Sequence, residues 1–362
     1  MIGRARQLDR LRDAFDQAAR DRSCQLFTVL GAAGVGKSRL VMEFLASLDD
    51  AIVVRSRCLS YGQGITYFPV VELVRQLAAR PTDATGALAV AALLGETDEP
   101  TTPEEIAWAI RKMLEREAAE RPLVMVVEDL HWGEPALLDL IEHIADFSRD
   151  APVLLLCLAR PELLDRRAGW AGGKLNATTV LLEPLSPKET DELIESLAPV
   201  DEVLRARVRV AAEGNPLFVE EMLALVRDNP DENVVVPATI RALLAARLDQ
   251  LDPRERALLE YGAVEGQVFH RGAIEALAPE EREVARRLLG LVRKELIRSD
   301  RPLVDGDEAF RFRHSLIRDT AYEALPKAAR AELHERFAAW LDTQGADLVE
   351  LEEMTGYHLE QP

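Results

Sequence analysis

Gly31-Ala32-Ala33-Gly34-Val35-Gly36-Lys37-Ser38 follows the apolar run Gln25-Leu26-Phe27-Thr28-Val29-Leu30. Arg39 comes next, and then Leu40, Val41, Phe44 and Leu45 recur at helical spacing. The octet fits G-x-x-x-x-G-K-[ST], a loop whose backbone N–H groups cradle phosphates while the lysine reaches the β/γ positions and the hydroxyl reaches Mg²⁺. Its context is what that chemistry requires: a strand before the loop, and after it a helix whose N-terminus faces the anion. A glycine turn between strand and helix is the plain alternative, but chance gives the whole pattern in roughly one chain in a hundred of this length. The segment predicts a nucleotide polyphosphate site, with Lys37 on the phosphates and Ser38 on the metal.

The composition sets the bounds. At 362 residues the chain is too long for one ordinary core. Its 48% apolar and 30% charged content is that of a globular protein rich in helix. A formal net charge of −19 opposes non-specific attraction to nucleic acid and to anionic membranes. Cys24, Cys58 and Cys157 are scattered and lack C-x-x-C spacing, so reduced thiols are expected rather than disulfides or a metal site. Apolar runs such as Val153 to Ala159 are too short to cross a bilayer, and Met1-Ile2-Gly3-Arg4 is no signal peptide. These features point to the cytoplasm.

Around the octet the pattern alternates between strand and helix. Leu8, Leu11, Ala14, Phe15 and Ala18 form an amphipathic helix ahead of the first strand. Ala51 to Arg57 reads as a second strand, and Leu123 to Val127 and Pro152 to Leu158 as unbroken apolar strands suited to a parallel sheet covered on both faces. Thr179 to Leu182 supplies a last strand. Thr102-Pro103-Glu104-Glu105 is a capping box with proline at the first helical position. Up to about residue 183 the fold class is therefore α/β, doubly wound. Beyond it the periodicity turns helical. Ser186-Pro187-Lys188-Glu189 and Asp252-Pro253-Arg254-Glu255 are further helix starts, and Pro230 and Pro237 bracket a linker-like stretch. A helix carrying Val284, Leu288 and Leu291, followed by extended pieces around Asp305-Gly306-Asp307, suggests a winged helix with a D-G hairpin turn. From His314 the chain is helical again, anchored by Tyr322, Leu333, Phe337 and Trp340.

Leu123-Val124-Met125-Val126-Val127-Glu128-Asp129 is an apolar strand ending in paired carboxylates. A Mg²⁺-nucleotide site needs one acid near the metal's water shell and another to orient the attacking water. By order along the strand, Glu128 serves the metal and Asp129 the water; two solvated acids are the alternative. Arg160, at the end of the strand from Pro152, is placed to sense a γ-phosphate, with a surface ion pair as the alternative. The set Arg282, Arg286, Arg287, Arg293 and Lys294 is interleaved with Glu280, Glu281, Glu283 and Glu295, which favours a salt-bridged, solvated face over one that reads DNA.

Together these segments resemble the STAND class of AAA+-like P-loop ATPases, in particular the ATPase region of large bacterial LuxR-type and adenylyl-cyclase-linked regulators. Ile2-Gly3-Arg4 with Leu8 looks like that class's adenine-side G-R-x-x-x-L element, with Gln7 where an acid is usual. Glu128-Asp129-Leu130-His131-Trp132 looks like its D-D-L-x-W strand end, with Glu replacing the first Asp. Cys58 to Tyr67 resembles a loop of the cyclase-linked branch, and Gly214-Asn215-Pro216-Leu217-Phe218 the G-x-P lid motif whose Pro216 would pack on adenine. Phe312 to Asp319 resembles the winged-helix segment whose histidine, here His314, reaches the ADP β-phosphate. The resemblance covers nearly the whole chain. It implies a P-loop three-layer sandwich over residues 1–185, a helical lid over 186–236, a winged helix over 237–313, and over 314–362 the start of a TPR-like helical array.

The expected cofactors are ATP or ADP with Mg²⁺. The expected behaviour is a nucleotide-driven conformational and oligomerisation switch that hydrolyses ATP slowly, if at all, within an excised region of a larger transcriptional regulator with an unknown inducer or regulatory protein. Self-association is expected, and direct nucleic-acid or membrane binding is not. A steadily cycling ATPase acting on DNA and a non-hydrolysing nucleotide scaffold are the alternatives.

Overall fold

A computed structural model describes residues 1–59, 67–97, 99–228, 237, 239–300, 302, 307–343 and 351–360. Two compact units emerge: Met1–Ala32 with Gly36–Glu183, and Ala33–Val35 with Pro184–Pro362.

The first unit is built on a parallel sheet. Helix α1 (Ala5–Asp21) ends where Arg22 turns left-handed at φ 46°. Strand β1 (Cys24–Gly31) leads through the glycine loop into α2 (Lys37–Leu45), and β2 (Ile52–Arg57) follows. Helices α3 (Phe68–Gln76), α4 (Ala84–Leu93) and α5 (Pro103–Glu117) precede β3 (Leu123–Glu128). A 3₁₀ turn over Leu130–Trp132, α6 (Pro135–Phe147), β4 (Val153–Ala159), α7 (Glu162–Arg166) and β5 (Ala177–Leu182) complete the unit. The sheet order is β2-β3-β4-β1-β5, and every pairing is parallel.

Burial follows that order. The inner strands β1 and β4 are buried at every residue and β3 at all but Glu128, whereas the edge strands β2 and β5 alternate. Flanking helices close the two faces of the inner strands, which is why they read as continuous apolar runs. Thr28, buried in the middle of β1, has its hydroxyl satisfied by the Trp170 indole N–H at 3.0 Å. The expected capping box at Thr102 forms as read, and the one at Ser186 opens the first helix of the second unit.

That unit begins with α8 (Pro187–Leu197), α9 (Glu202–Ala212) and α10 (Pro216–Asp228), packed around Ile194, Val208, Phe218 and Met222. It continues through α11 (Ile240–Asp249), α12 (Pro253–Glu265), β6 (Val268–His270), α13 (Arg271–Leu277), α14 (Val284–Arg293), β7 (Ile297–Asp300) and β8 (Ala309–Phe312). The three strands form an antiparallel sheet in the order β6-β8-β7, with Phe269, Phe310 and Phe312 in the core beneath it. The antiparallel pair expected around Asp305-Gly306-Asp307 is present as β7 and β8; its D-G turn, like the loop from Ser60 to Thr66 and the stretch between Pro230 and Pro237, lies outside the described residues. Helices α15 (Ser315–Ala324), α16 (Lys327–Thr343) and α17 (Leu351–Glu360) end the chain. Glu221 on α10 and Arg247 on α11 form a buried ion pair, and Arg247 also donates to the Lys294 carbonyl at 3.1 Å.

Candidate functional site

Parallel strands end on the same edge of a sheet, so the strand order decides which chain segments meet there. β1, β4 and β3 are neighbours in that sequence. Their carboxyl ends therefore present, side by side at strand spacing of about 4.8 Å, the glycine loop, Arg160 and the Glu128–Asp129 pair. β2, next to β3, adds Arg55 and Arg57. Three segments about thirty to ninety residues apart in sequence converge because β4 lies between β1 and β3.

The loop has the backbone that its glycines anticipate. Gly34 sits at φ 80° and Gly36 at φ 102°, a region that disfavours any L side chain. A Cβ built on Gly36 would meet nothing within 4 Å, so the approach to the start of α2 is clear. The Lys37 ammonium donates to the carbonyls of Gly31 at 2.7 Å and Ala32 at 3.0 Å. Its pKa is lowered to about 8, chiefly by burial, with Asp129 partly offsetting this and Arg160 adding to it. A buried cation with that deficit gains most from a multiply charged anion. The residues present fit a nucleotide polyphosphate and the Mg²⁺ that accompanies it.

The two acids are placed differently. Asp129 occupies the left-handed region at φ 56°, and its charge acts on Lys37. Glu128 turns toward β2, where its carboxylate lies 3.3 Å from Arg55 Nη2. Beyond them the 3₁₀ turn buries His131, which is 5% exposed. The Arg160 backbone N–H approaches His131 Nδ1 at 3.4 Å, and Arg166 donates to the His131 carbonyl at 2.6 Å. Burial first, and then Arg160, Lys37 and Arg166, lower the His131 pKa to about 3.

The remaining expected residues are distributed as follows. Ile2 and Gly3, the latter at φ 68°, lead into α1, and the buried Arg4 donates to the Glu183 carbonyl at 2.7 Å, fastening the chain start to the end of β5. Ser38 and Arg39 lie in the first turn of α2. In the second unit Pro216 is the first residue of α10. Within that same unit, Asn215 Nδ2 donates to the Ala33 carbonyl at 3.2 Å and Leu217 N to the Gly34 carbonyl at 3.3 Å. A Cβ on Gly34 would come within 2.7 Å of Asn215 Oδ1. His314 stands at the N-cap position of α15 without a side-chain capping bond; its Nε2 is buried with no partner among the described residues, and burial followed by Arg313 and Arg298 lowers its pKa to about 4. Sequence reasoning missed Arg55 and Asn215 and gave His131 no role. An arginine on alternate positions of a short edge strand was the available signal for the first.

A glycine loop, its lysine and an acid pair on one edge of a parallel sheet of this order define a P-loop nucleotide-binding domain. Residues 1–156 match the AAA ATPase domain family. An uncharacterised protein of Rhizobium meliloti is 28% identical over 370 residues, covering 87% of this chain and 35% of the relative. A STAND protein with a tetratricopeptide repeat sensor from Pyrococcus horikoshii overlays with a TM-score of 0.58 at 18% identity, over 96% of this chain and 46% of that one. This chain thus spans about a third of the curated relative and under half of the solved one. Residues 1–156 thus match the AAA ATPase domain family, and the chain shares the fold of that STAND protein. No helix among the described residues is long and apolar enough to cross a membrane.

Proposed function

We propose that this chain is a nucleotide-dependent conformational and oligomerisation switch, part of a larger cytoplasmic transcriptional regulator of the LuxR type. Residues 1–185 hold the nucleotide, 186–236 act as the lid, 237–313 as a winged helix, and 314–362 open a helical array. The observation that carries the reading is the pair of bonds from Asn215 and Leu217 to Ala33 and Gly34. They tie the middle of the phosphate loop to the start of α10, so a ligand that reshapes the loop also strains or relaxes that helix.

In this mechanism the loop amides of Ala32 to Ser38 and the Lys37 ammonium grip the β- and γ-phosphates. Ser38 and Glu128 are the residues that would hold Mg²⁺, and the ion would supply charge neutralisation at the phosphates. Asp129, whose charge already acts on Lys37, orients water at the terminal phosphate. Arg160 senses that phosphate, Ile2, Gly3, Arg4 and Pro216 form the adenine side, and His314 answers the ADP β-phosphate. A ligand shifts such an equilibrium only by its differential affinity for the two states. ADP and ATP should therefore give different sedimentation coefficients in analytical ultracentrifugation, with ATP favouring self-association. Identical sedimentation with either nucleotide would refute the switch, and hydrolysis strongly accelerated by DNA would favour a cycling machine instead.

A further inference from the structure

Helix α11 is shared by two apolar cores. Its Leu243 packs into the core of α8, α9 and α10, whereas Leu244 and Leu248 pack into the core beneath the antiparallel sheet. Ile240 lies against both. Arg247, one turn beyond Leu243, follows the same seam, and its side chain is only 5% exposed. Three oxygens from two sides surround its guanidinium. They are the equally buried Glu221 carboxylate of α10, the Asp228 carboxylate at the end of α10 at 3.7 Å, and the Lys294 carbonyl at the end of α14 at 3.1 Å. A second bridge runs outside this one, where Glu295 lies 3.7 Å from Arg227 of α10 and 3.1 Å from Arg313 after β8. Its side chains are 41% to 62% exposed, so water screens it and the buried pair dominates.

An ion pair is an unexpected choice for such a seam. Two buried charges recover by mutual attraction about what they lose in hydration, so apolar residues of the same volume would hold the parts together as well or better. Parting tells the two choices apart. When the seam opens, charges regain their hydration, whereas apolar side chains would be put into water. We propose that Glu221 and Arg247 form a release seam, a charged latch that holds α8–α10 against the α12–β8 portion and lets the two part without exposing apolar surface. The inference rests on the switch reading and deepens it, by naming the joint at which the second unit bends.

Two substitutions pull this seam in opposite directions. Glu221→Gln leaves the buried guanidinium without a matching charge and should open it. Glu221→Leu combined with Arg247→Met makes the seam apolar, and should hold it shut while melting no lower than the unaltered chain. Spin labels on Lys188→Cys in α8 and Arg286→Cys in α14 report the separation by double electron–electron resonance. Both positions are exposed, and the three native thiols are buried. The expected result is a second distance whose share rises about fivefold or more in Glu221→Gln without added nucleotide, and falls about fivefold or more in the double variant with ATP and Mg²⁺. Equal shares in all three chains, or a shift in the same direction for both variants, would overturn the latch. If Glu221→Gln does not fold, the double variant decides, and an unchanged share in it overturns the latch. If the unaltered chain gives the same shares with ADP and with ATP while the variants still move them apart, the latch stands and the nucleotide-driven reading fails.

Discussion

Arg55 Nη2 and Glu128 Oε1 stand 3.3 Å apart, an ion pair between the adjacent strands β2 and β3 on the edge that carries the phosphate loop. Its side chains are 43% and 13% exposed, so the pair is only partly screened by water. A carboxylate held by a guanidinium is less available to a divalent cation. Arg55→Ala should therefore lower the Mg²⁺ concentration that half-saturates ATP binding by about two- to fivefold, the range expected of a partly exposed pair. A magnesium titration followed by nucleotide fluorescence measures this. An unchanged midpoint would show that Glu128 stands apart from the metal.

Lys37 is the point charge inside the loop, and two backbone carbonyls already orient it. Lys37→Ala should weaken ATP at least 100-fold, or about 3 kcal/mol, with little effect on the melting of the unliganded protein. Calorimetric titration gives the affinity. Retained tight binding would move the phosphates elsewhere.

Gly214 sits at φ 75°, and its carbonyl accepts from Leu185 N at 2.8 Å. A Cβ at this position would run into the Leu185 carbonyl oxygen and come within 2.9 Å of the Leu185 nitrogen. Backbone cannot retreat as a flexible side chain can. Gly214→Ala should cost about 3 kcal/mol or more in the second unit, read as a fall in its thermal midpoint. A midpoint within a degree of the unaltered protein would mean that the turn relaxes freely.

His334 and His358 bury their rings with the Nδ1 atoms 2.7 Å apart, and Tyr322 Oη lies 2.8 Å from His334 Nε2. Burial first lowers the His334 pKa to about 4, with Arg318 and Arg330 adding to it; burial, then His334 and Arg318, lowers that of His358 to about 3. In the unfolded chain both titrate near 6.5 and take up protons first as the pH falls. Their contribution is thus complete above about pH 6.5 and is lost progressively below it, down through pH 4. The loss is up to about 1.4 kcal/mol per pH unit for each ring. Hydrogen-exchange protection factors in α16 and α17 should therefore fall between pH 7 and 5, after correction for the slower intrinsic chemistry at lower pH. A protection factor that stays flat across that window would contradict the assignment.

Much of this architecture can be read locally. The octet from Gly31 to Ser38, the capping boxes at Thr102 and Ser186, and the buried runs of β1, β3 and β4 are each written within a dozen residues. What stays hidden depends on strand order or distant contact. Nothing near Arg55 says that β2 will lie beside β3, and nothing near Asn215 says that it will meet Ala33, 182 residues away. Glu221 and Arg247 look like solvated helix residues, because burial of a charge appears only once its partner is placed. For Glu221 that burial raises the carboxyl pKa, against which the Arg247 charge works.

The three thiols lend the first unit a built-in clock. Cys24, Cys58 and Cys157 are all buried and unbridged, and burial pushes each of them up, Cys24 to about 12. A maleimide or iodoacetamide reagent needs the thiolate, so it is shut out twice, by access and by protonation. Alkylation of these positions then times the breathing of the strands they sit in or beside, and a nucleotide that tightens the domain slows it without any engineered label.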